Sequence, residues 1–131
     1  DASAMAIFEL TGDMVFNYRG SWCSEGLITP WESEWRIVGT QGTVRWDGAA
    51  GFQAQAVAEA SGFFSKWADL ELPPVPELAA TGHAGVLRDF VDAVQAGRTP
   101  ETICTDNIKS LAMVFGAIES AECGERVQIM V

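Results

Sequence analysis

An α+β domain is the fold class this sequence predicts, and three observations predict it. Short apolar runs bounded by turn residues recur through the first seventy positions, helical periodicity occupies the last fifty, and the proline-rich stretch from Pro73 to Thr81 separates them. The expected architecture is a mostly antiparallel, open-faced β-sheet, with two C-terminal helices packed on one face and a terminal strand returning to the sheet. At 131 residues and 14.1 kDa the chain has the length of one domain, and a chain of this size is expected to bury roughly two thirds of the surface its unfolded form exposes.

Each element has its own signal. Ala4 to Leu10 is an apolar run ending at Thr11-Gly12-Asp13, a turn that leads into Met14 to Trp22, so the pair reads as a hairpin. In the second strand Met14, Phe16, Tyr18 and Trp22 share one face, while Val15, Asn17, Arg19 and Ser21 share the other. Cys23 to Glu34 has no clean period and reads as a loop. Glu34 to Val38 and Thr43 to Asp47 flank Gly39-Thr40-Gln41-Gly42 as a second hairpin, closed by Asp47-Gly48. Phe52 to Ala58 and Trp67 to Leu72 are weaker strand candidates, the latter stopped by Pro73-Pro74. His83 to Ala96 aligns Val86, Leu87, Phe90, Val91 and Val94 in one stripe and ends at Gly97. A longer helix is expected after Pro100, capped by Thr102 or Thr105 with Asp106 in its first turn, burying Ile108, Leu111, Ala112, Phe115, Ile118 and Ala121 and stopping at Gly124. Val127 to Val131 alternates as a last strand.

Charge and composition exclude several classes. Eighteen acidic residues against eight basic ones give a formal charge of −10, which repels phosphate backbones and anionic lipid surfaces; neither a nucleic acid nor a membrane is an expected partner. No apolar run approaches the roughly 20 residues of a spanning helix, and the first residues carry no signal-peptide pattern. The glycines form neither a G-x-G phosphate fingerprint nor a P-loop, so no nucleotide cofactor is expected in this chain. Cys23, Cys104 and Cys123 are widely spaced with no C-x-x-C, and His83 is the only histidine. Free thiols in a reducing, cytoplasmic setting are expected, with no metal site. Five Trp, seven Phe and one Tyr exceed what two helices can cover, so part of the sheet face is expected to meet another protein surface.

The string RGSWCSEGLITPWESEWRIVGTQG from Arg19 to Gly42, followed by TVRWDG from Thr43 to Gly48, resembles the C-terminal domain of the Gfo/Idh/MocA oxidoreductases, the glucose-fructose oxidoreductase and inositol dehydrogenase family. In that family a strand, a loop and a W-R-I-x-G-x-x-G hairpin recur in this order. DFVDAVQAGR from Asp89 to Arg98, then Pro100-Glu101-Thr102 and Asp106 to Glu122, is similar to the family's final helix pair, so the resemblance covers almost the whole chain. It implies a parent enzyme with an N-terminal Rossmann domain binding NAD or NADP and a catalytic lysine in E-K-P. The G-x-H-x-x-D motif that supplies a further acid and histidine is missing too: the chain has no E-K-P, and His83 stands in H-A-G-V-L-R. The expectation is a truncated piece of a longer oxidoreductase that begins after the catalytic motif, with no catalytic, cofactor-binding or metal residue of its own.

Four residues are candidates for touching a substrate: Arg19, Trp31, Arg36 and His83. Arg19 and Arg36, expected on neighbouring strands, offer guanidinium forks suited to sugar hydroxyls or a carboxylate. The competing assignment, which the acidic excess favours, is an ion pair with Glu9, Glu32 or Glu34. Trp22, Trp31 and Trp35 can stack on a sugar ring, and Trp31 in the loop is best placed; aromatics at strand spacing serve more often as core or interface. His83 either reaches a substrate in the complete enzyme or caps and packs against its helix end, the commoner arrangement. Glu32 and Glu34, about 7 Å apart if extended, have the spacing of a glycosidase pair but no burial signal. Asp106 and Asn107 read as helix-start residues, and no sequence signal marks Lys109 for a Schiff base. The chain is therefore expected to be a substrate-pocket wall and oligomer interface of an NAD(P)-dependent sugar or polyol dehydrogenase, inactive alone and self-associating through its open sheet face. The alternative is a stand-alone carbohydrate-binding or dimerisation module.

Overall fold

A computed structural model describes residues 2–60 and 63–131. The element order is β1 (Ser3–Glu9), β2 (Val15–Ser21), β3 (Trp35–Val38), β4 (Gly42–Trp46), β5 (Phe52–Glu59), β6 (Lys66–Asp69), α1 (Gly82–Ala96) and α2 (Cys104–Cys123). The fold class is α+β: two antiparallel sheets, of two and four strands, with both helices at the C-terminal end. The chain divides into two units, one of Asp1–Ala4 with Arg19–Pro76 and one of Met5–Tyr18 with Glu77–Val131. The β1–β2 ribbon contributes to both. Leu10 N–H donates to the Met14 carbonyl at the turn, and Trp22 N–H donates to the Ala2 carbonyl at the far end.

In the first unit the four-stranded sheet runs β3-β4-β5-β6, each strand antiparallel to the next. The hairpin expected at Gly39-Thr40-Gln41-Gly42 is present, with Gly39 N–H donating to the Gly42 carbonyl at 2.8 Å. Its registry sets two unlike faces. Trp35, Trp46 and Phe52 lie in one cross-strand row, followed by Ile37, Val44 and Ala54, then by Gly42, Ala56 and Ala68. Because side chains alternate along each strand, the opposite face carries Arg36, Arg45 and Gln53 in one row and Val38, Thr43, Gln55 and Asp69 in the next. Trp46 and Phe52 stack with centroids 5.5 Å apart and planes 7° from parallel. A Cβ at Gly42 would overlap the Gln55 carbonyl, so the hairpin and β5 approach closely only because this residue is glycine.

In the second unit Phe8 and Phe16 stack across the ribbon at 5.9 Å, and Arg126 Nη2 binds Glu9 Oε2 at 2.7 Å. Both helices stop as their glycines require: Gly97 and Gly124 adopt left-handed φ values of 65° and 70°. Their beginnings differ from expectation. The N-cap of α2 is Ile103 and makes no side-chain cap, so neither Thr102 nor Thr105 caps it, although Asp106 occupies the first turn. The anticipated strand at 127–131 is not formed either. The side chain of Ile129 instead lies against α2, where a Cβ built on Gly116 would sit 2.6 Å from Ile129 Cγ1.

The expected burial is not reached. The chain exposes 11828 Å², whereas a compact protein of this mass exposes about 6,700 Å² and an extended chain about 20,400 Å². Only about two fifths of the extended surface is removed from water, not two thirds. Even two separate compact bodies of half the mass would together expose only about 8,100 Å², so the excess does not depend on how the units are arranged. Among the described residues the buried hydrophobic core is Ala54 and Ala93. The stripes expected to be covered are open: Val86, Leu87, Phe90, Val91 and Val94 on α1, and Ile108, Leu111, Phe115 and Ile118 on α2, are all exposed. On α2 the sheltered residues are Ala112, Met113, Gly116, Ala117 and Ser120, a face of mostly small side chains that admits Ile129.

Candidate functional site

The segment expected to border a ligand, residues 23–34, is shaped by turns. Ser33 N–H donates to the Pro30 carbonyl at 3.0 Å, closing a turn that presents Trp31, and Ser33 itself has φ 66°. Trp35 Nε1–H then donates to the Glu32 carbonyl at 3.0 Å. Gly48, buried and at φ 81°, fits beneath this turn because a Cβ there would overlap the Ser33 carbonyl and meet Pro30 Cγ at 3.0 Å. Asp47 Oδ1 accepts from Ala49 N–H and Gly51 N–H, fixing the β4–β5 connection on which Gly48 depends.

This frame brings Trp31 to Trp22, with ring centroids 5.3 Å apart and planes at 60°. Both indoles are 79% exposed. At that separation the rings pack on each other and leave no slot between them for a ligand. Trp35 does not share their exposure: it belongs to the apolar face of the four-stranded sheet. Of the three tryptophans considered for ring stacking, Trp22 and Trp31 come together in the open and Trp35 serves another face.

The arginines are placed differently from expectation. Arg19 lies on β2 and Arg36 on β3, in separate sheets, so they are not on neighbouring strands. The ion pairs that the acidic excess favoured go to other cations: Glu34 pairs with Arg45, and Glu9 pairs with Arg126. Arg36 stands directly across from Arg45, and the Glu34 carboxylate offsets the repulsion this places on the strand pair. Neither Arg19 nor Arg36 has an ion-pair partner among the described residues. The engagement of Glu34 by Arg45, with both Glu32 and Glu34 exposed, also removes the basis for a carboxylate pair that performs acid–base chemistry.

His83 follows Gly82, whose φ is 57°, at the start of α1. It is exposed, and α1 has no side-chain cap, so His83 does not serve the capping role. It belongs to the unit that does not contain Arg36 or Trp31. Lys109 Nζ pairs with Asp106 Oδ1 at 2.9 Å within the first turns of α2, an exposed pair of helical spacing. Among the described residues no group of three or more His, Cys, Asp or Glu could hold a metal ion.

Two polar clusters were not anticipated. Cys23 Sγ lies 3.5 Å from Ser21 Oγ and 4.0 Å from Ser3 Oγ, and the two hydroxyls are 2.9 Å apart. The Ser21 hydroxyl, then that of Ser3, holds the Cys23 thiol below its ordinary pKa by hydrogen bonding to the thiolate. The S-x-C alternation at 21–23 carries half of this signal, but the partner at Ser3 is visible only once β1 and β2 pair. The second cluster ties α1 to the start of the next segment. Asp89 Oδ2 accepts from Glu101 N–H at 2.8 Å and Asp89 Oδ1 accepts from Arg98 Nη2 at 2.6 Å, and these donors, Glu101 first, lower the pKa of the carboxyl.

The free, exposed cysteines and the absence of a membrane-length apolar helix among the described residues complete the chemical inventory. Compared with known proteins, the chain matches no family model, no curated protein and no solved structure.

Proposed function

We propose that this chain is the substrate-side and oligomerisation domain of an NAD(P)-dependent sugar or polyol dehydrogenase that resembles the Gfo/Idh/MocA enzymes. The observation that carries this reading is the apolar face of the four-stranded sheet, where Trp35, Trp46 and Phe52 form one row and Ile37, Val44 and Ala54 the next, without a charged residue in either. A chain that leaves so much apolar surface in water gains free energy, about 25 cal/mol per Å², when a partner covers it. The W-R-I-x-G-x-x-G string supports the reading further, because Trp35 to Gly42 forms the hairpin that the resemblance implies.

In this proposal the parent enzyme moves a hydride between the nicotinamide and a hydroxyl-bearing carbon. Cofactor and proton-transferring groups come from outside this chain, which supplies a pocket wall and the subunit interface. Arg19, Trp31 and Arg36, all of the first unit, are the residues proposed to border substrate; Arg19 and Arg36 present guanidinium groups without an ion-pair partner among the described residues. The three free cysteines fit a cytoplasmic setting. The purified 131-residue chain is then expected neither to bind NAD or NADP by calorimetry nor to reduce either with a polyol. Measurable reduction by this chain alone would overturn the proposal.

A second reading, a stand-alone carbohydrate-binding module, is favoured by one observation: the Trp22–Trp31 pair offers its outer ring faces to solvent. Saturable quenching of tryptophan fluorescence by a free sugar, lost in Trp31→Ala, would favour it over the first.

A further inference from the structure

We draw no further inference here: the strongest candidate, the exposed Trp22–Trp31 pair beside the Cys23 thiol at the end of β2, carries nothing because its rings pack on each other, Cys23 is a lone thiol, and nothing in the structure shows what covers them.

Discussion

Cys23 shows how much chemistry a strand pairing adds to residues that look ordinary in sequence. An exposed thiol beside hydroxyls ionises more readily, because hydrogen bonding from the hydroxyls, Ser21 first, favours the thiolate and the neutral thiol accepts only weakly. The direction of the pH effect follows. Alkylation of Cys23, followed by peptide mass spectrometry across a pH series, is expected to reach half its maximal rate at a lower pH than in Ser21→Ala, where the main donor is gone. No displacement between the two profiles would show that Ser21 leaves the thiol unaffected. At the same scale, registry decides which arginine takes a carboxylate. An acidic excess predicts that a cation finds a carboxylate, but which cation does so depends on registry: Arg45, across from Arg36, takes Glu34.

Among the elements, α1 and its exit are held by a carboxylate whose folded pKa lies below its ordinary value. Such a group contributes stability that is fully present above the ordinary carboxylate range and is lost as pH falls through the lowered folded value. Urea unfolding of Asp89→Asn is therefore expected to fall short of the parent at neutral pH, with the difference shrinking as acid protonates Asp89. A difference that stays constant with pH would mean that the carboxylate charge is not what matters. The helix α2 offers a sharper case. Gly116→Ala should gain about 1 kcal/mol of helix propensity, but its Cβ would meet Ile129, whose Cγ1 lies 2.6 Å from that position. The gain is expected in full only in an Ile129→Ala background, and to be reduced or reversed with Ile129 present. Equal effects in both backgrounds would show that the terminal segment does not press on the helix.

These elements also show what a sequence can and cannot announce. Helix ends at Gly97 and Gly124 were legible because a left-handed residue is a local requirement that glycine meets. The hairpin at Gly39 to Gly42 was legible for the same kind of reason. The V-Q-I-M-V alternation was misleading, since alternation states only that one side of a segment is apolar, and Ile129 finds a helix there rather than a sheet edge. Likewise the stripe through Phe90 and Val91 marks what seeks cover without naming its cover. Around the candidate site, the loop position of Trp31 was legible, whereas its packing on Trp22, the Ser3 hydroxyl and the separation of Arg19 from Arg36 depend on pairings between distant residues.

For the whole molecule the deciding quantity is surface. A chain that exposes 11828 Å² has left uncovered several thousand Å² beyond what its mass requires, and obligate subunit interfaces bury roughly 2,000–5,000 Å² in total. The apolar sheet face is the part of that surface proposed to meet a second copy, because Trp35, Ile37, Val44 and Phe52 are exposed on it around the buried Ala54. The proposed self-association therefore runs through this face. Sedimentation equilibrium of the 131-residue chain at several concentrations, beside Ile37→Glu, tests it most directly. The expected mass rises to at least twice that of the single chain, and Ile37→Glu is expected to be a folded monomer. A strict monomer at the highest concentration, or an unchanged oligomer in the variant, would contradict it.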